Sequence, residues 1–359
     1  MANSVTSIKA SKLNSKDSRV GLLDVLRSVA IIFVVITHYR EPLLPGGSIG
    51  VAIFFCLSGY LITKNLLQKD VTIYSFLIRR IFRIFPAYLV VCILHLFILY
   101  YTNSVLFPIY LQDLPSFLLF IKMPDTWLGF GVGVFWTLQV ELWFYFLIPL
   151  VIKKTQGRIR INLIIGLILI SILFKSLVFF EIIKLSTYSI FRTFYWMDNL
   201  LYGSLIAVAL ENPHFGDLKR KILSETSLIC LRLFLYLIFL LIILIALFWS
   251  SIGKLWAFES SLTSLLTGII IFFSQKYRLF SYKMPLIISY ISLMAYVTYL
   301  AHPLPLDYYV LCRHFFKGTN FEYKMIVFTL LVFLILSLHY FIEKPGIRFG
   351  KRFLRRQNH

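Results

Sequence analysis

Charge is what this sequence has least of. Only 14% of its 359 residues are Asp, Glu, Lys or Arg, and the acidic ones number 16 against 36 basic ones. Soluble domains carry about 25% charged residues, so a soluble globular enzyme is excluded as the reading of the chain. Cysteine is scarce as well. Cys56, Cys92 and Cys230 fall inside apolar runs and Cys312 stands alone in a loop, so neither a disulfide framework nor a metal cluster is expected. The glycine-rich stretch Gly46–Gly50 is not followed by a glycine–lysine pair, which argues against a phosphate-cradling loop. A cleavable secretory signal is not expected, because the first twenty residues are polar and basic and the first apolar run is full length. A two-halves internal repeat, common in transporters, is also missing.

What the chain does have is apolar surface. Residues of hydrophobic type make up 59% and the mean hydropathy is +0.82. Phe, Leu and Ile recur in blocks of roughly 18 to 22 residues, each long enough to cross about 30 Å of hydrocarbon. The expected fold is therefore all-α: a polytopic membrane bundle of about ten transmembrane helices. The spans are placed near 22–40, 49–67, 82–101, 134–152, 161–180, 192–210, 228–249, 257–275, 285–304 and 325–342. A basic tail at 1–20 and another at 346–359 flank a transmembrane domain at 21–345. With the N-terminus inside, 25 lysines and arginines fall on the inner segments and 8 on the outer ones, which predicts both termini in the cytoplasm. The formal charge of +20 then reports orientation and attraction to anionic membrane lipids, and nucleic acid is not expected as a partner.

Chemistry-bearing residues stand out against so apolar a background, because an ionisable group inside a membrane is costly and marks a functional candidate. Arg27 and His38 lie in the first span. If that span is helical, the eleven steps between them turn about 1100°, so both share one face about 16 Å apart. The competing reading has Arg27 reaching the interface, paired with Asp24, and His38 merely ending the helix. Arg79, Arg80 and Arg83 are at helical spacing and put three guanidiniums on one side. They read either as a lipid anchor or as a clamp for a phosphate-bearing ligand taken from the cytoplasm. Glu141 follows Trp136 and Thr137 and is the lone carboxylate of its span. It reads as a partner for His38, a substrate-binding carboxylate or a structural hydrogen-bond acceptor. Ser292, Tyr296 and Tyr299 are spaced by four and three and form a polar-tipped face ending at His302, which interfacial anchoring would also explain. Ser58 and Gly59 offer a small-residue surface for close helix contact.

Six motifs then occur in order: Asp24-x-x-Arg27 with His38; Gly50-Val51 into Phe54-Phe55-x-Leu57-Ser58-Gly59-Tyr60; Arg79-Arg80-x-x-Arg83-Ile84-x-Pro86; Trp136-Thr137-Leu138-x-x-Glu141-x-x-Phe144-Tyr145; Tyr299-Leu300-x-His302; and Glu343-Lys344-Pro345. Over residues 20–352 the chain resembles the membrane-bound acyltransferase-3 family of integral-membrane O-acyltransferases. Thr137 stands where serine is usual, which keeps a hydroxyl. The resemblance implies an acyl-CoA-dependent enzyme that moves an acetyl group from acetyl-CoA to a sugar hydroxyl of a cell-surface glycan or lipid-linked saccharide, without a metal. It implies Arg27 and His38 as the catalytic signature pair, with His38 as base or acyl relay, and Glu141 is read beside them as a third catalytic residue that orients His38 or binds the sugar. Arg79, Arg80 and Arg83 would bind the cofactor, and Trp136, Thr137, Tyr299 and His302 the acceptor. A bacterial inner membrane and a lipopolysaccharide O-antigen acceptor are the leading expectations. The esterase-like domain fused to some members is not expected within this polypeptide. The alternative is a transporter or flippase of a lipid-linked sugar that performs no acyl chemistry.

Overall fold

The structure is a computed structural model that describes residues 21–38, 47–102, 106–119, 132–183, 191–212, 225–248, 256–277, 279–280, 284–305 and 320–357. Among these residues every regular element is a helix. In chain order they are α1 (Gly21–His38), α2 (Gly47–Leu66), α3 (Ile73–Thr102), α4 (Leu106–Leu118), α5 (Trp136–Lys154) and α6 (Gly157–Phe179). They continue with α7 (Phe191–Glu211), α8 (Glu225–Leu247), α9 (Trp256–Tyr277), α10 (Leu286–Ala301), α11 (Asn320–Ser337) and α12 (Lys344–Gln357). A 3-10 turn, Val132–Phe135, leads into α5, and a π-helical turn, Leu338–Glu343, joins α11 to α12.

The arrangement follows from which helices are apolar on every side and which carry small or polar residues. α2 is the hub and is buried along most of its length, whereas α8 turns most of its apolar side chains outward. α2 packs on α1, α5, α7 and α9. Its contact with α7 is backbone to backbone. A Cβ on Gly59 would collide with the Leu200 carbonyl, and one on Gly203 with the Cys56 carbonyl. Helices associate this closely in a membrane only through small residues, because lipid provides no hydrophobic drive for larger ones. A hydrogen bond from Thr63 Oγ1 to Ser204 Oγ, 2.9 Å, continues the same seam.

All ten predicted spans coincide with a helix. Seven helical segments, the last covering Lys324–Gln357, are long and apolar enough to cross a bilayer. The other three predicted spans fall on α7, α9 and α10. α10 has 16 residues, while α7 and α9 carry charged and hydroxyl groups that face each other. Lys175 of α6 lies 2.9 Å from Asp198 of α7 and both are fully buried. Ser260 of α9 accepts from Lys175 Nζ at 3.2 Å, and Ser264 donates to Asn199 Oδ1 at 2.8 Å. Their polarity serves the interior of the bundle, which lowers their hydropathy without moving them out of it.

Three segments gain local detail. α3 begins at Ile73 rather than near 82, so Arg79, Arg80 and Arg83 occupy its second and third turns. The predicted long connection 102–133 contains α4, with residues 120–131 outside the described part. Residues 346–357 of the expected basic tail belong to helix α12, packed against α3. Residues 1–20, with the expected N-terminal tail, lie outside the described residues, as do His214, His314, Cys312 and His359.

Candidate active site

The site is built where α1, α2, α3, α5 and α10 converge. α1 contributes Asp24 and Arg27, one turn apart, with their charges 3.8 Å from each other. Ser292 of α10 stands between them, accepting from Arg27 Nη1 at 3.1 Å and donating to Asp24 Oδ1 at 2.6 Å. α3 contributes Arg80, whose guanidinium lies over the rings of Phe76 and Tyr145 at 5.4 and 5.5 Å. Aromatic faces replace part of the hydration a cation loses there. α5 contributes Glu141, which accepts from Ser58 Oγ of α2 at 3.0 Å and from Tyr145 Oη at 2.8 Å. One turn toward the start of α5, Thr137 Oγ1 donates to Tyr299 Oη at 2.9 Å, and Tyr299 Oη donates to the Val134 carbonyl at 2.9 Å.

These groups line one cavity that is partly open to its surroundings, with Arg27, Arg80, Arg83, Glu141, Thr137 and Tyr299 among its lining residues. A guanidinium-rich region therefore shares a continuous space with a hydroxyl-rich one. Beyond the hydroxyl end the chain of contacts continues through rings. Tyr299 meets His302 with centroids 5.8 Å apart, and His302 meets His38 edge-on at 4.7 Å. His38 closes α1 and is exposed, while His302 is fully buried.

The tautomer of each histidine follows from its partner. His38 Nδ1 lies 2.8 Å from the Val34 carbonyl and His302 Nδ1 lies 2.8 Å from the Tyr299 carbonyl. A carbonyl only accepts, so in the neutral ring Nδ1 carries the proton and Nε2 carries the lone pair. His38 thus presents a basic nitrogen that the fold has oriented from behind. Such a group serves as a general base or a nucleophile.

The residues singled out in the sequence divide accordingly. Arg27, Arg80, Arg83, Glu141, Thr137 and Tyr299 meet in the cavity, and His38 and His302 pair beside it. Arg79 is exposed, reaches Ser75 Oγ at 3.5 Å and does not line the cavity. Trp136 also stands outside the lining. It packs on Phe55 at 6.1 Å and Trp196 at 4.9 Å, beneath the Arg192 guanidinium. Glu141 has Ser58 and Tyr145 as its hydrogen-bond partners rather than His38, whose ring neighbour is His302. Ser58, Tyr145 and Ser292 enter as site residues on their geometry. A polar atom at helical spacing from a charged one was the available signal, since Tyr145 follows Glu141 by four. The buried pair His339–Glu343, 2.6 Å apart, carries the same i,i+4 signal and lies in the π-helical turn.

The sequence matches the acyltransferase domain family over residues 20–342. Among curated proteins it is similar to O-acetyltransferase OatA of Staphylococcus aureus strains NCTC 8325 / PS 47 and COL. Each is 28% identical over 230 residues, covering 58% of this chain and 38% of the relative. The match thus spans well under half the length of those relatives. No solved structure matches the chain. With the family match covering most of the bundle and its cavity, this integral membrane protein belongs to the acyltransferase-3 family.

Proposed function

We propose that the protein is an O-acetyltransferase that moves an acetyl group from cytoplasmic acetyl-CoA to a hydroxyl of a cell-surface glycan. The observation that carries this reading is one cavity lined by three guanidiniums and by Tyr299, whose ring contacts His302, which in turn contacts His38. The names of the two Staphylococcus relatives support O-acetylation as the type of transfer.

Coenzyme A ends in phosphates, for which guanidinium forks are geometrically suited. Arg80 and Arg83 hold these phosphates on the cytoplasmic side, and Arg27 sits deeper with Ser292 and Asp24. Glu141 braces the aromatic shelf of Arg80 through Tyr145. The pantetheine arm then carries the thioester toward Thr137 and Tyr299. On the far side the acceptor sugar meets His38, with Thr137, Tyr299 and His302 as the neighbouring polar groups, while Trp136 supports the site from behind through Phe55.

In the base route, His38 Nε2 takes the proton of the acceptor hydroxyl as its oxygen attacks the thioester carbonyl. The tetrahedral oxyanion collapses, the C–S bond breaks, and the imidazolium returns the proton to the thiolate. The products are the acetyl ester and free CoA. In the relay route, Nε2 itself attacks the thioester carbonyl, the C–S bond breaks and the CoA thiolate takes up the Nδ1 proton. The acceptor hydroxyl then attacks the acetyl-imidazole, the C–N bond breaks and the hydroxyl proton returns to the ring. Lipopolysaccharide O-antigen in a bacterial inner membrane is the leading acceptor and setting.

The test is to incubate the protein in nanodiscs with radiolabelled acetyl-CoA and envelope glycan. Label moving to the glycan with equal release of CoA is the expected result. Label held on the protein when glycan is omitted selects the relay route. If CoA neither binds nor turns over, the acyl-transfer reading fails and sugar translocation is to be tested instead.

A further inference from the structure

α12 lies against α3 at the segment that bears the arginines. Phe82 sits between Arg80 and Arg83 and packs on Phe349 and Phe353 of α12, with centroids 5.2 and 6.1 Å apart. On a helix of 100° per residue, Arg79 lies about 60° from Phe82, Arg83 about 100° and Arg80 about 160°. The face held by α12 is thus nearest Arg79 and farthest from Arg80, whose guanidinium lies over Phe76 and Tyr145 at the cavity.

The contact is fitted to a flaw in α3. Pro86 has no N–H, so the Phe82 carbonyl loses its i+4 donor at this point in the helix. Gly346 of α12 lies over that carbonyl: a Cβ at Gly346 would come 2.6 Å from the Phe82 oxygen and 3.2 Å from Pro86 Cγ. One turn on, a Cβ at Gly350 would come 2.8 Å from Phe82 Cβ. Two glycines four apart therefore let α12 rest on the weakened turn, covering the carbonyl with Cα–H rather than with lipid. The approach of α12 is set just upstream by the π-helical turn Leu338–Glu343, which is locked by the buried His339–Glu343 pair. π-turns are costly and recur where function needs a particular helix phase.

We propose that α12 is a positioning element. Gly346 and Gly350 seat it on Phe82 over the Pro86 gap, and this contact aims Arg80 and Arg83 into the cavity to hold the phosphates of the acyl donor. The proposal rests on the acyl-CoA reading of the arginines.

The test measures acetyl-CoA affinity, KM and kcat for Gly346→Ala, Gly350→Ala and Phe353→Ala in nanodiscs. The third variant trims the contact without introducing a clash, and serves where a glycine variant does not accumulate. Gly166→Ala is the control, since nothing lies within 4 Å of a Cβ there. The expected result is a rise in acetyl-CoA KM of about tenfold with kcat within about twofold, and no change for Gly166→Ala. In an Arg80→Ala/Arg83→Ala background the same substitutions are expected to add nothing, as groups acting through one another are not additive. A lowered thermal midpoint with KM unchanged, or an equal loss with and without the arginines, overturns the proposal. If the double arginine variant binds acetyl-CoA like wild type, the acyl-CoA reading falls and takes this proposal with it. If the arginines matter but all three contact variants behave like Gly166→Ala, the positioning role alone falls.

Discussion

The pairing of Ser58 with Glu141 can be weighed by a double-mutant cycle. Ser58 Oγ and Tyr145 Oη donate to the two oxygens of one carboxylate, at 3.0 and 2.8 Å. A hydrogen bond to a charged acceptor contributes about 1.5–3 kcal/mol. Glu141→Ala removes both acceptors and leaves two hydroxyls facing an apolar wall, a loss of about 3–6 kcal/mol if both bonds act in the site. That corresponds to at least about 100-fold in kcat/KM for acetyl-CoA. Ser58→Ala removes one bond and is expected to cost about 1.5–3 kcal/mol, or roughly 10- to 100-fold. In the Glu141→Ala background Ser58 has no carboxylate to bond, so the same substitution is expected to cost less than about 0.5 kcal/mol. The assay is kcat/KM for wild type, both single variants and the double variant in identical nanodiscs. Additive losses would refute the reasoning, because they would mean that the two residues act separately.

Three other predictions follow from placement. Arg79→Ala is expected to leave acetyl-CoA affinity within about twofold, while Arg80→Ala and Arg83→Ala each weaken it about tenfold or more, read by equilibrium binding. Equal effects at all three positions would return the cluster to a general lipid anchor. Lys175→Met strands the buried Asp198 carboxylate and is expected to destabilise by about 3–5 kcal/mol, whereas Lys175→Met with Asp198→Leu recovers most of that in chemical denaturation. Gly59→Ala drives a methyl into the Leu200 carbonyl and is expected to cost at least about 1–3 kcal/mol in the same assay. Gly166→Ala, in open space, is expected to be neutral or to gain up to about 1 kcal/mol of helix propensity.

Sequence reading succeeded where a single physical constraint acts. Helix length against bilayer thickness placed ten spans, and each one coincides with a helix. Isolated ionisable groups in apolar runs drew attention to Arg27 and Glu141, which line the cavity, and to His38, which stands exposed at the end of α1 beside His302. It faltered where partners come from distant segments. Glu141 could be matched to His38 by depth along the membrane, yet the rotation of α5 turns it to Ser58 and Tyr145 instead. His302 was legible as the end of a polar face, but its edge-on meeting with His38 depends on how α10 packs against α1. Arg79 shared a helical side with its neighbours on spacing alone. The cavity lining, which takes Arg80 and Arg83 but not Arg79, shows which side of α3 faces the site. The 346–359 segment read as a tail because its charge hides a narrow apolar and glycine stripe, the stripe that docks it on α3.

The most direct test of the account is thioester loss from acetyl-CoA by wild type, His38→Ala and His302→Ala, with glycan acceptor present. The account predicts that His38→Ala abolishes CoA release while acetyl-CoA still binds through the arginines. His302→Ala, which removes only the ring behind it, is predicted to keep a reduced rate. CoA release by His38→Ala at the wild-type rate would contradict the central claim that the oriented Nε2 of His38 carries the transfer.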